Sequence, residues 1–147
     1  MRAFTVHQPW ATAIAVLGKP IENRTWRLPR HVIGERVALH AGLYFEEAAA
    51  EALAGTELAP GVTVRWFAEQ PRGAVIATLV FAGVVTSSRS PWFSGPFGWQ
   101  LEDVRALREP VYVRGAQGLW VLPEHVERQV LAQDAVLNPA SQGDPHR

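Results

Sequence analysis

The stretch from Ala74 to Val85 constrains the fold more than any other part of this chain. It runs AVIATLVFAGVV, the longest apolar run in the sequence, with no proline and no charged residue. Its β-branched side chains favour extended backbone. Because the run does not alternate with polar residues, it reads as a central strand covered on both faces, and Gly83 marks a bulge within it.

The segments around this strand supply its neighbours. Ala3 to His7 alternates, with Phe4 and Val6 on one side and Thr5 and His7 on the other, as a half-buried strand does. Pro9 suits the first position of a helix in which Trp10, Ala13, Ile14 and Leu17 share an apolar stripe. Gly18 is placed to end that helix, and Pro20 prevents its continuation. Ile21 to Trp26 then reads as extended, with Glu22, Arg24 and Trp26 projecting on one side and Ile21, Asn23 and Thr25 on the other. Val37 to Ala41 forms another strand, ended by Gly42. Phe45 to Ala54 reads as a helix, and Trp66 and Phe67 mark a short helical turn. Residues 87–98 form a Ser/Pro/Gly/aromatic loop. Two strands, Phe97 to Leu101 and Val111 to Val113, follow it. Leu119 to Leu122 completes the sheet, and Pro123 opens a last helix ending near Ala132. Short strands with two or three helices indicate an α+β fold around a curled sheet or small barrel. One domain is expected over residues 1–133, with 134–147 as a flexible tail.

A chain of 147 residues buries roughly 68–70% of the surface its unfolded form exposes, so it folds without staples. It has no cysteine, which excludes disulfides and thiolate zinc sites. The five histidines and three aspartates are scattered, so neither a zinc site nor a catalytic triad is indicated, and no metal or cofactor is expected. No apolar run reaches the ~18–20 residues of a membrane helix, and Met1 to Thr5 leads straight into the fold without a signal peptide. A cytoplasmic, monomeric protein with no membrane partner is therefore expected. The formal net charge is zero, yet residues 1–45 carry six basic and two acidic side chains, whereas residues 46–71 carry five acidic and one basic. A locally basic surface on a neutral chain fits an anionic ligand or an ordinary solvated face. Lys19 is the only lysine among fourteen basic residues, and an amine offers chemistry that a guanidinium does not.

Two constellations carry chemistry. The first is His7-Gln8-Pro9-Trp10 followed by Gly18-Lys19-Pro20-Ile21-Glu22-Asn23-Arg24-Thr25-Trp26. Strand, helix and return segment bring His7 back toward Lys19, Glu22 and Arg24, which together offer a base, an amine, a carboxylate and a fork donor. Trp10 lies on the helix's apolar stripe and serves either core or ligand; Trp26 shares a side with two charged residues and is open to stacking. Glu22 and Arg24 also read as a simple ion pair on a strand face. The second constellation runs from Ser88 to Trp99, with four aromatics among Gly and Pro. Either this loop closes over the core, or Trp92, Phe93 or Trp99 stacks an unpaired base beside Arg89. His40, at a strand end, is either a structural histidine or a cleft residue.

These residues carry a family resemblance. The stretch His7-Gln8-Pro9-Trp10-Ala11 through Gly18-Lys19-Pro20-Ile21-Glu22-Asn23-Arg24-Thr25-Trp26 resembles the signature of the activating signal cointegrator homology (ASCH) domain, of the PUA-like superfamily. The likeness continues through His40-Ala41-Gly42, Gly73-Ala74-Val75-Ile76, Ser90-Pro91-Trp92-Phe93-Ser94-Gly95-Pro96-Phe97-Gly98 and Gly115-Ala116-Gln117-Gly118-Leu119-Trp120, and so covers roughly residues 3–123. It implies a PUA-like mixed β pseudo-barrel flanked by two to three helices, with a cleft between the first helix and the aromatic 88–99 loop. It implies binding of RNA, single-stranded DNA or a nucleotide, with candidate ligand residues His7, Gln8, Trp10, Lys19, Glu22, Asn23, Arg24, Trp26, His40, Ser90, Trp92 and Phe93. One bacterial branch resembles an amidohydrolase acting on N4-acetylcytidine through a Lys, a Thr three residues later and a distant Glu. Lys19 matches that Lys, but Glu22 stands where the Thr would be, and the distant Glu has no counterpart. Ribonuclease activity is also associated with some ASCH proteins. The alternatives to a binding module are thus a small hydrolase on a modified nucleoside or RNA, with Lys19 and Glu22 catalytic, or a protein-interaction adaptor.

Overall fold

In the computed structural model, which describes residues 1–137, the apolar run Ala74–Val85 is strand β4. The other strands are β1 (Arg2–Gln8), β2 (Ile21–Arg24), β3 (Arg36–Phe45), β5 (Phe97–Tyr112) and β6 (Leu119–Val121). The helices are α1 (Trp10–Val16), α2 (Glu47–Leu53), α3 (Val64–Ala68) and α4 (Glu124–Leu137). One six-stranded mixed sheet has the order β2-β5-β4-β3-β1-β6; β1 and β3 run parallel and every other pair antiparallel. The fold is α+β.

The sheet curls on itself. Three strands separate β2 from β1 in that order, yet Arg24 Nη2 donates to the Thr5 carbonyl at 2.7 Å, and the Phe4 and Trp99 rings lie 6.1 Å apart. Alternation in β1 explains the interior: Phe4 and Val6 join Leu39, Phe81, Trp99 and Leu101 inside the curl, while Ala3 packs outward with Val126 and Val130 of α4. The register of β4 against β5 slips between Phe81 and Gly83, the bulge expected at Gly83. The first half of β4 is buried throughout and the second half only partly.

Three expectations from the sequence change. The two strands expected at Phe97–Leu101 and Val111–Val113 are one, β5, because pairing with β4 carries the backbone across the exposed polar stretch between them. Strand β3 does not stop at Gly42 but runs on to Phe45, so helix α2 begins at Glu47. Helix α4 passes Ala132 and includes residues 134–137, where a tail was expected. Asp134 is buried and pairs with Arg105 at 3.1 Å, and Gln133 bonds both backbone groups of Glu109. The rest of the expected tail, residues 138–147, lies outside the described residues.

Candidate functional site

The same alternation in β1 that buries Phe4 and Val6 turns Thr5 and His7 toward a cavity of about 1390 Å³. Strand β2 supplies Glu22 and Arg24 to its wall, the start of α1 supplies Trp10, and the segment from Tyr112 to Gly118 forms the opposite side. Strand β2 is placed by α1, whose end follows local rules. Gly18 adopts a φ of +76°, which costs glycine little, and the next amide, of Lys19, reaches back to the Ala13 carbonyl at 3.1 Å.

A chain of polar contacts forms one wall. Glu22 Oε2 accepts from Arg24 Nε at 2.9 Å, and Lys19 Nζ stands 3.7 Å from Glu22 Oε1. The Lys19 ammonium donates to the Ile21 carbonyl and sits 5.5 Å from the centre of the Trp10 ring. Trp10 Nε1 in turn donates to Glu46 Oε2 at 2.5 Å. Glu22 is 7% exposed and Lys19 3%. Burial pulls the Lys19 ammonium below the usual lysine range, opposed by the Glu22 charge. Two cations around one nearly buried carboxylate are what makes its ionised form tolerable there.

The second wall is organised by His40. Its Nε2 lies 2.8 Å from the Val113 carbonyl, which only accepts, so the proton is on Nε2. Nδ1 is then the acceptor for the Thr5 hydroxyl at 3.1 Å. That hydroxyl oxygen also receives Trp120 Nε1–H at 3.1 Å. Burial lowers the His40 pKa, the bond to Val113 opposing it, and the imidazole is neutral near pH 7. Gly115 passes so close that a Cβ there would come 2.5 Å from His40 Cε1 and 2.9 Å from Thr5 Oγ1. Glycine at 115 is therefore a requirement of close approach.

The residues named from the sequence divide into two groups. The cavity brings together His7, Trp10, Glu22, Asn23, Arg24, Trp26 and His40. Lys19, a candidate ligand residue, is not among its lining residues; its ammonium is buried against Glu22 and the Ile21 carbonyl. Arg24 lines the wall but is tied to Glu22 and to the Thr5 carbonyl, and its guanidinium lies 5.1 Å from the centre of the Trp99 ring. Gln8 is fully buried, its amide bridging the Pro71 carbonyl and the Thr12 amide. Neither tryptophan of the aromatic loop presents a face for stacking. Trp92 is 9% exposed and packs among Ala13, Ala50, Leu53 and Phe67, because burying the indole against α1, α2 and α3 removes more apolar surface from water than exposing it would. Trp99 is fully buried in the curl. Phe93 lies over Gly95 and Gly98, and Ser90 accepts from the Trp92 amide. Asn23 touches both regions: its side chain holds the loop through the Trp92 carbonyl and the amides of Ser94 and Gly95.

Sequence reasoning missed Glu46, Tyr112, Arg114 and Gly115 as cavity residues, and the part of Thr5. The signal for Thr5 was present, since it shares a face of β1 with His7. The closely spaced Gly115 and Gly118 ahead of β6 hinted at a tight loop, but nothing local says which cavity it closes. At the mouth, Trp26 is 37% and Tyr112 68% exposed. Arg114 there is exposed and has no ion pair among the described residues. No group of three or more metal-ligating side chains occurs among the described residues, and none of their helices is long and apolar enough to cross a membrane.

With this geometry in view, known structures supply a comparison. The crystal structure of ASCH from Zymomonas mobilis superposes with a TM-score of 0.52 and 15% identity, over 89% of this chain and 93% of that one. A point mutant of the same protein gives a TM-score of 0.52 at 15% identity, over 89% of this chain and 96% of that one. The chain has an ASCH-like fold. No protein-family model and no curated protein matches the sequence, so the likeness is one of architecture. The ASCH-like frame accounts for the mixed curled sheet with its helices, and the cavity opens between its first helix and the segment before β6.

Proposed function

We propose that this protein is a nucleic-acid-binding module that takes one unstacked nucleotide into the cavity. The observation that carries this reading is the lining of that cavity: Trp26, Tyr112, His7 and Arg114, all exposed, share it with Trp10 and the nearly buried Glu22, and Arg114 has no ion pair among the described residues. Aromatic faces hold unstacked bases, and a guanidinium holds phosphate. The ASCH-like fold adds support, since the sequence resemblance associates that fold with RNA, DNA and nucleotide ligands. Within this reading Trp26 stacks the base, Arg114 meets the phosphate and the carboxylates face the base edge.

Fluorescence polarisation with short single-stranded RNA and DNA, across a series of salt concentrations, tests it. Trp26→Ala is expected to weaken binding by about 1–3 kcal/mol, and because Trp26 also packs edge-on against Trp99 at 4.7 Å, Trp26→Phe, which keeps an aromatic face, should retain more of the affinity than Trp26→Ala. Absence of binding to every oligonucleotide at low salt would reject the reading and favour a protein-interaction adaptor.

A further inference from the structure

The next inference rests on the nucleotide-binding reading and concerns the surface just outside the cavity. Side chains alternate along a strand, so His40, Gly42 and Tyr44 share one face of β3. The first two line the cavity. His40 bonds Thr5 at 3.1 Å, and a Cβ at Gly42 would lie 3.6 Å from His7 Nδ1. Tyr44 is the next step of that row. It is not among the lining residues, yet its ring meets the His7 imidazole edge to face, with centroids 5.1 Å apart and planes at 77°. His7 lines the cavity and is itself exposed, so the row passes from the interior to the surface without a break. Tyr44 is 59% exposed.

The surface around it is apolar and aromatic. Leu43 is 78% exposed and Tyr112 68%, and both reach the cavity lining. Gly73 joins them: a Cβ there would come 3.0 Å from Leu43 Cδ2, and its carbonyl accepts from the Val113 amide, next to Tyr112, at 3.1 Å. Large apolar side chains left together in water mark a surface that meets a partner. Two observations indicate which partner. The patch is continuous with the cavity, and Arg114, two residues beyond Tyr112, brings it a cation with no ion pair among the described residues. The acid of the adjoining lining, Glu46, is bound to the Trp10 indole. We propose that Tyr44 stacks the base of a second nucleotide, the chain neighbour of the one in the cavity. The ligand is then a single strand of at least two nucleotides and not a free nucleotide. Stacking on an aromatic ring tolerates every base, so this contact adds affinity without reading sequence. A duplex keeps its bases stacked on one another and offers neither contact.

The experiment uses the full chain and a fluorescent hexauridylate, displaced by uridine 5′-monophosphate or by the 5′-phosphorylated di- and trinucleotides of uridine. The dinucleotide is expected to bind about five- to a hundredfold more tightly than the monophosphate, the worth of one stacked base. Tyr44→Ala should remove that gain and leave the affinity of the monophosphate unchanged. Tyr44→Phe, which keeps the ring, should retain the gain. The melting temperature of Tyr44→Ala should stay near the parent's, because the ring is exposed and packs only edge to face with His7. A dinucleotide that binds no more tightly than the monophosphate would overturn the proposal and leave nucleotide binding in the cavity standing. A gain that survives Tyr44→Ala would overturn it too, since charge and not stacking would then supply it. An equal loss of monophosphate and dinucleotide affinity in Tyr44→Ala would also overturn it, placing the effect inside the cavity through His7. Failure of every single-stranded probe to bind would overturn both readings together.

Discussion

At the scale of single residues, two tryptophans that the sequence offered equally for stacking have opposite fates. Trp26 closes a run of charged residues and remains open at the cavity mouth; Trp92 sits among Ser, Pro and Gly and is buried beneath three helices. Trp92→Ala is expected to cost about 3–5 kcal/mol of stability, seen as a much lower thermal midpoint, with any affinity change following from unfolding. The cations separate in the same way. Arg114→Ala should reduce the slope of log affinity against log salt by about 0.7, the loss of one single-strand phosphate contact. Lys19→Ala should leave that slope unchanged and lower the melting temperature, since the ammonium is interior and its removal strips Glu22 of one counter-charge. A slope that falls in Lys19→Ala would mean that the lysine reaches the ligand after all.

At the scale of elements, the segment between β5 and β6 is where backbone geometry matters most. Gly115 and Gly118 occupy it for different reasons. A Cβ at Gly118 would meet no atom within 4 Å, but φ there is +67°; Gly118→Ala is expected to lose on the order of 1 kcal/mol to backbone strain. Gly115 has no positive φ, yet its Cβ would strike His40 at 2.5 Å and Thr5 at 2.9 Å. Gly115→Ala must displace the segment or the imidazole, at a cost of roughly 1–3 kcal/mol, and should weaken oligonucleotide binding more than Gly118→Ala does. Thermal melts and affinities of the two variants, compared side by side, distinguish contact from strain. Asn23 plays a comparable part for the aromatic loop, where three hydrogen bonds from one amide side chain hold residues 92–95 against β2.

For the whole molecule, His40 links stability to pH. It joins β1, β3 and the segment before β6 in its neutral form, accepting from Thr5 and donating to Val113. Its folded pKa lies below the unfolded value of 6.5, so between those two values the unfolded chain binds more protons and stability rises with pH. The contribution is complete above about pH 6.5 and is lost as pH falls toward the folded value, when a second ring proton would face a network that needs an acceptor. Thermal melts from neutral to mildly acidic pH should show this decline, and His40→Gln should flatten it while lowering the midpoint throughout. A decline of the same size in the variant would assign the effect to other groups.

The sequence alone determined whatever depends on neighbours along the chain. The apolar run of β4, the alternation of β1, the stripe of α1 and the glycine that ends it follow from local propensity and burial, as does the bulge at Gly83. The pairing of Glu22 with Arg24, two residues apart on one strand, was legible for the same reason. Only the tertiary structure decided which side of each residue faces the cavity. Whether an aromatic loop opens or folds under depends on the apolar area that α1, α2 and α3 offer Trp92, and that area does not exist until they pack. Glu46 and Arg114 come from segments far apart in the chain, with β3 continuing past Gly42 and β5 crossing its polar stretch to bring them to one cavity. Lys19 lies behind Glu22 with its ammonium on the Ile21 carbonyl and beside the Trp10 ring, and the bond from Arg24 to the Thr5 carbonyl, across three intervening strands, has no local signature.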